Sequence, residues 1–295
     1  MGIIDSHLHL ITATMYRRME ERFPGIRRAA LKDVRTRASE RLRQLEGLTL
    51  EDHARMWLTA FDQAGVEAGA FIAVGEANEE LARFVAINPR RLLGWGSLSD
   101  PRHPDAPRIL GEFPAMGLIG LKLYPPIQRF FPNDRALYPV YEKAAELGLP
   151  ILFHFGITVA AFYDLTYANP LPLSAPVKEF PEVPFIIAHF GAGFLRETLF
   201  LAYHTENVYV DTSGTNNWRE YHPGNPSLEE VFRDTLRAFG SSRILFGTDS
   251  TFFGGYRQHI LAEQVEILRR LDLSEEDRQL ILEGNARRLF RLEES

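Results

Sequence analysis

Apolar residues are concentrated in eight short runs along the chain, at 3–5, 68–74, 92–97, 117–123, 150–154, 185–189, 208–211 and 244–246. Most are continuously apolar and not alternating, as expected of strands buried on both faces of a parallel sheet. Helical patterns fall between them. The stretch "TLEDHARMWLTAFDQAG" at 49–65 has a Thr cap, early acidic residues and a closing Gly. "ALYPVYEKAAELG" stops at a Gly directly before the fifth run, and further helical patterns follow the sixth, seventh and eighth. Eight strand–helix units predict a (β/α)8 TIM barrel. The alternative, an open doubly wound sheet, would more often carry a glycine-rich phosphate turn after the first strand; here that strand leads into His-Leu-His.

Three segments are longer than plain connections need. Residues 11–48 form a helical insertion after strand one, with ten basic and five acidic residues. It reads equally as a lid and as a solvated excursion or subunit contact. Residues 155–173 and 212–227 are aromatic and rich in Pro, Asn or Gly. All three follow strand C-termini, the face on which barrel enzymes build their sites. The stretch 277–294 reads as a terminal helix packed outside the barrel.

Composition narrows the class. The chain has 295 residues, 45% hydrophobic and 24% charged, ordinary for a globular enzyme, and a barrel of this length forms one domain over 1–295. A net charge of −6 is no footprint for nucleic acid. The chain has no cysteine, which excludes thiolate metal sites and cysteine nucleophiles. No signal-peptide pattern and no long apolar stretch is seen, so a cytoplasmic enzyme without a membrane partner is expected.

The polar residues at the predicted strand ends carry the chemistry. His7 and His9 stand two residues apart, on one face of a strand. Lys122 lies near the end of strand four, His154 ends strand five, His189 ends strand six and Asp249 follows strand eight. In a barrel these ends meet at one mouth. Of nine histidines, four lie there; His53, His103, His204, His222 and His259 fall in helices or loops and read mostly as surface residues. Imidazoles and a carboxylate suit a divalent metal that activates water and polarises a substrate oxygen. Asp249 could both ligate the metal and take the proton of that water. Arg129, Arg219 and Arg257 lie in candidate mouth loops, and Tyr124, Tyr163 and Trp218 could wall a substrate; of these, Lys122, Tyr124, Trp218 and Arg257 are read as substrate-binding.

The stretches "DSHLH", "GLKLYP", "LFHFG", "IIAHFG", "LFGTDS" and "GNARRLF" together resemble the amidohydrolase superfamily. More narrowly, they resemble its amidohydrolase-2 branch of decarboxylases and lactonases. The resemblance spans nearly the whole chain. It implies a (β/α)8 barrel with one or two divalent metals; the imidazole and carboxylate donors make zinc the expected ion, with manganese as the alternative. It maps the metal ligands onto His7, His9, His154 and Asp249, and gives His189 a role on the substrate. Lys122 would be either a carboxylated bridge between two metals or an ammonium for an anionic substrate; the branch favours the ammonium and one metal. The run after Asp249, "TDSTFFGGYRQ", lacks the Pro common in the branch. The expected activity is hydrolysis of a C–O or C–N bond in a small, carboxylate-bearing lactone, ester or amide. The alternative is a metal-dependent non-oxidative decarboxylase. A small-molecule substrate is expected, and a homodimer is left open.

Overall fold

The computed structural model describes residues 2–22, 40, 42–73, 75, 77–158, 163–251 and 255–292. Its sheet has nine strands: β1 (Ile4–Leu10), β2 (Ala68–Ala73), β3 (Leu92–Ser97), β4 (Gly120–Leu123), β5 (Ile151–Phe153), β6 (Phe185–Ile187), β7 (Val208–Asp211), β8 (Ile244–Leu245) and β9 (Ser250–Thr251). Their order is β8-β7-β6-β5-β4-β3-β2-β1-β9, and every strand pairing is parallel. Chain order is spatial order, so each helical connection carries the chain to the neighbouring strand, as in a (β/α)8 barrel. The strand runs are as apolar as two-sided burial demands: every residue of β2 and β3 is buried.

Closure falls on the segment that joins β8 to β9. The Ser6 N–H and Oγ–H both donate to the Phe246 carbonyl, at 2.9 and 2.7 Å. The Asp249 N–H donates to the His7 carbonyl at 2.9 Å. β9 then pairs with β1 at Leu8 and His9. β1 therefore runs well past the short apolar stretch that predicted it. Pairing to β2 and β9 continues through both histidines, with a register irregularity between Asp5 and Leu8.

The barrel has an inner and an outer apolar layer. Ala68, Ala70, Ile72, Leu93, Trp95, Leu152, Ile186 and Leu245 fill the interior. Phe71, Phe84, Phe113, Phe153 and Phe185 pack between sheet and helices. The helix Leu50–Ala64 forms as its sequence predicts. Thr49 and Asp52 make a reciprocal capping box, and Gly65 ends the helix at φ 69°. Its His53, read above as a surface residue, is buried instead.

The C-terminal stretch differs from expectation. It runs as a helix Glu275–Gln279, a π-helical turn Leu280–Gly284 and a helix Asn285–Leu289. Ala286, Leu289 and Phe290 join the inner layer, and the Phe290 ring meets Trp95 edge-on at 5.2 Å. The stretch plugs the barrel floor and is not packed wholly outside. An amphipathic pattern marks an apolar face without saying what it meets. Of the insertion, the helix Ala13–Arg22 and residues 42–48 are described. Thr12 donates to Glu80 at 2.7 Å, and Arg17 pairs with Glu46 at 2.8 Å. Residues 23–39 and 41, where the lid reading mostly falls, lie outside the described residues. Among the described residues no helix is long and apolar enough to cross a membrane.

Trp95 fits only because β4 starts with glycine. A Cβ on Gly120 would lie 2.5 Å from the Trp95 ring and 2.6 Å from the Pro150 carbonyl. Gly120→Ala should therefore lower stability by about 1–3 kcal/mol through overpacking, read as a lower midpoint in urea unfolding; an unchanged midpoint would mean the ring has room to move.

Candidate metal centre and active site

His7 and His9 share one face of β1, with ring centroids 5.4 Å apart. The His189 ring lies 4.7 Å from His7 and 5.0 Å from His154, the residue that follows β5. Asp249 Oδ1 lies 3.0 Å from His9 Nε2 and 3.9 Å from His7 Nε2. Candidate ligand atoms of His7, His189 and Asp249 lie within 4.8 Å of one another. The strand ends thus meet at one mouth, and His189 stands as close to the cluster as the residues expected to ligate.

Two of these residues sit in strained backbone. β6 stops at Ile187 and does not run on to His189. His189, Phe190 and Ala192 then take φ of 57°, 54° and 42°, and Asp249 has φ 55°. Left-handed conformations are costly for residues with a Cβ and persist only where the surroundings fix them. For Asp249 the fixing group is the His7 carbonyl; for His189 it is Asp211, the last residue of β7. Its Oδ1 accepts from the backbone N–H of His189 at 2.9 Å and of Ser213 at 3.0 Å, and from the Ser213 hydroxyl. Its Oδ2 lies 2.8 Å from His7 Nδ1. Ser213 Oγ also lies 2.7 Å from His189 Nδ1, so one buried carboxylate and its serine orient both rings.

Asp5, also buried, ties β1 to the closing segment. It accepts from Thr248 Oγ1 at 2.6 Å, and from the N–H groups of Thr248 and His7 at 3.1 Å each. Asp5, Asp211, Ser213 and Thr248 were not singled out from the sequence. The available signal was an Asp closing the seventh apolar run, in line with the other strand-end residues.

Burial sets the charges. It lowers His7 to about 3, with the Lys122 charge acting in the same sense and Asp211 opposing. It also holds His154 well below the ordinary imidazole range and lowers His189. Neutral imidazole is the ligating form. Burial alone would raise Asp249; the hydrogen bond from His9 and the neighbouring imidazoles outweigh it and keep the carboxylate ionised. Lys122, fully buried, is lowered to about 7 by burial, with Asp211 and Asp249 opposing.

The donor set fits a divalent ion. Nε2 of His7 and Nε2 of His154 are buried without a hydrogen-bond partner among the described residues, which is costly unless something completes them. His7 meanwhile offers Nδ1 to a carboxylate, the arrangement that fixes a metal-binding imidazole. His9 and Asp249 add two donors at the same mouth.

The other predicted residues divide. Lys122 Nζ stands 4.8 Å over the Tyr124 ring, whose centroid lies 5.8 Å from His154. Tyr163 lies 5.4 Å from His154 on another side. Arg257 Nη1 lies 3.4 Å from Asp249 Oδ2. Trp218 is tied into its own loop, donating to Asn216 Oδ1 at 3.1 Å and lying against His222 at 5.9 Å. Arg219 caps the carbonyls of Asn216 and Pro226 in that loop, and Arg129 is mostly exposed, 3.9 Å from Asp164.

A model of the amidohydrolase family matches residues 4–292. The chain belongs to that family. This amidohydrolase is 27% identical over 248 residues to a 2-keto-4-carboxy-3-hexenedioate hydratase from a Sphingobium species, covering 72% of this chain and 70% of that protein. Its fold is shared with a manganese-bound 5-carboxyvanillate decarboxylase from Novosphingobium aromaticivorans, with a TM-score of 0.70, 15% identity and coverage of 99% and 96% of the two chains. It is shared also with a Pseudomonas putida structure assigned as a 2-pyrone-4,6-dicarboxylic acid hydrolase, with a TM-score of 0.64, 20% identity and coverage of 100% and 99%. The chain is thus a metal-dependent barrel enzyme.

The role of Asp211 is open to direct measurement. Asp211→Asn keeps the side-chain shape and removes the anionic partner of His7. Metal affinity should fall about 10–100-fold, measured by competition with a chelator. Equal retention by the variant would detach Asp211 from the metal centre.

Proposed function

We propose that this amidohydrolase is a hydrolase that uses one divalent metal to cleave a C–O or C–N bond in a small, carboxylate-bearing lactone, ester or amide. The observation that carries the reading is the setting of Asp249. Its backbone is fixed by its bond to the His7 carbonyl, one carboxylate oxygen faces His9 and the other Arg257, and the side chain keeps 25% of its surface exposed. It is therefore an ionised carboxylate at the mouth that water can reach. Asp211, by contrast, is buried and its oxygens are already committed to protein donors.

His7, His9, His154 and Asp249 would hold the metal. When bound, the ion would act as a Lewis acid on a substrate oxygen and make a nearby water more acidic. Asp249 accepts the proton of the attacking water. His189 is held through Nδ1 by Ser213 and through Nε2 by His154 Nδ1 at 3.2 Å, and a substrate entering beside His154 would exchange that second contact for its own carbonyl or leaving group. Lys122 remains an unmodified ammonium that holds a substrate anion, with Arg257 as a second cation at the rim and Tyr124 and Tyr163 as walls. Zinc suits a set richer in imidazole than carboxylate; manganese takes support from the bound ion of the decarboxylase neighbour.

A second reading, a non-oxidative decarboxylase of a small unsaturated or aromatic acid, takes support from that same neighbour. Isotopes separate the two on a panel of lactones, esters, amides and unsaturated acids. Hydrolysis incorporates oxygen from labelled water at a cleaved bond. Decarboxylation releases carbon dioxide and places solvent deuterium on carbon. Hydration, the reaction named for the Sphingobium relative, would add labelled oxygen and deuterium with no bond cleaved. We expect cleavage with oxygen incorporation, and either other pattern would replace the hydrolytic reading. Asp249→Asn should lower kcat by roughly 10²–10⁴-fold. The double variant His7→Ala, His9→Ala should lose most of the metal found by elemental analysis while staying folded; full retention would end the ligand assignment.

A further inference from the structure

Two polar side chains on neighbouring strands end in atoms for which the described residues offer no hydrogen-bond partner. Lys122 Nζ and Ser97 Oγ are both buried and lack a hydrogen-bond partner among the described residues. Ser97 closes β3 and pairs directly with Lys122 of β4. Paired residues of a parallel sheet project from the same face. That face is the barrel interior on both strands. On β3, a Cβ at Gly94 or Gly96 would run into the outer layer, at Leu118, Val85 and Phe113, so Trp95 and Ser97 point inward. On β4, a Cβ at Gly120 would meet Trp95 of the interior, so Lys122 and Tyr124 point inward too.

The end of β3 is also rigid. Asn78 Nδ2 donates to the Ser97 carbonyl at 2.8 Å, and the Ser97 N–H donates to Asn78 Oδ1 at 2.9 Å. Both backbone groups of Ser97 are thus engaged from the helix side, and its hydroxyl is left facing inward. Below it, Trp95 spends its one donor on the Ser6 carbonyl at 3.0 Å, so the indole does not donate to Ser97 Oγ. The Tyr124 ring flanks the ammonium.

We infer that Ser97 and Lys122 together form the subsite that takes a substrate carboxylate, with Ser97 Oγ–H donating to one oxygen and the Lys122 ammonium to the other. This subsite lies on the β3–β4 side of the barrel, away from the Asp249–Arg257 pair on the closing segment. It would hold the acid end of the substrate so that the reacting carbon lies toward the histidines. The inference deepens the proposed function and rests on its reading that the mouth takes a small carboxylate.

Fumarate is a suitable probe, with crotonamide as its uncharged counterpart, titrated calorimetrically into the metal-loaded protein. Fumarate should bind and crotonamide should not. Ser97→Ala should weaken fumarate about 10-fold or more, the loss expected for a hydrogen bond to a charged group, and Ser97→Thr should restore part of it. Thermal melting supplies a second readout. A hydroxyl held for structure would lower Tm when removed, whereas one left unsatisfied for a ligand should leave Tm unchanged or raised in Ser97→Ala, and likewise in Lys122→Met. Equal fumarate affinity in wild type and Ser97→Ala, no fumarate binding by wild type, or a clear drop in Tm for Ser97→Ala would each overturn the subsite. The isotope experiment is independent of these outcomes: a product without labelled oxygen, with fumarate binding still dependent on Ser97, would strike only the hydrolytic reading.

Discussion

The buried carboxylate of Asp211 organises the mouth of the barrel. An ionised group without water must find its donors in the protein, and Asp211 finds four: His7 Nδ1, the backbone N–H groups of His189 and Ser213, and the Ser213 hydroxyl. Each bond places something else. The bond to His7 turns that ring so that Nε2 points into the mouth. The bond to the His189 backbone holds the chain in a left-handed turn at φ 57°, which swings its imidazole between those of His7 and His154. Burial would raise this carboxyl; the neighbouring His7 and His189 and the hydrogen bonds they donate outweigh it and hold it well below the usual carboxylate range.

Asp5 is equally buried and serves a different end. Burial pushes its carboxyl up to about 7, against hydrogen bonds from Thr248 and the His7 backbone that pull it down. No imidazole is its partner. Its donors are hydroxyl and amide groups, and they do not offset its burial, so Asp5 sits near the balance between its two forms. Its work is mechanical: it clamps Thr248 to β1, and Thr248 in turn meets Ser250 Oγ at 2.6 Å. Ser250 accepts the N–H of Arg257 at 2.9 Å. The two acids thus separate by partner. One orients the rings, and the other fixes the closing segment that carries Asp249 and Arg257.

How much of this was legible from sequence follows from residue type. Strand runs buried on both faces stand out as apolar stretches, and His, Lys or Asp at their ends stands out against them. His7, His9, Lys122, His154, His189 and Asp249 could therefore be read directly. Asp5, Ser97, Ser213 and Thr248 could not, because small polar residues at strand ends look like ordinary turn formers. Their roles come from register: Ser97 acquires meaning only when β3 pairs it with Lys122. Asp211 lay between these cases, an acid at a strand end that the metal-ligand pattern left unused. The barrel floor was hidden for another reason. The apolar face of the last helix fits either an outer groove or an open barrel end, and only the packing of Phe290 on Trp95 decides.

The polar atoms left without partners at this mouth carry a further consequence. Nε2 of His7, Nε2 of His154, Lys122 Nζ and Ser97 Oγ all lie on β1, β3, β4 or just beyond β5, at one end of the barrel. Each unsatisfied buried group costs about 1–3 kcal/mol, a large share of the roughly 5–15 kcal/mol by which a folded protein exceeds its unfolded state. The opposite end shows the contrast. There Trp95, Phe290, Ala286 and Leu289 close the floor with apolar contacts, and Asn285 donates to the carbonyls of Ser241 and Ile244 at 2.7 and 2.8 Å. The barrel thus closes its floor with apolar packing, while at the mouth these four atoms are open to a ligand. A ligand that completes those atoms binds the folded chain and not the unfolded one, so it stabilises the fold by mass action. Recognition and stability are then coupled through the same few atoms.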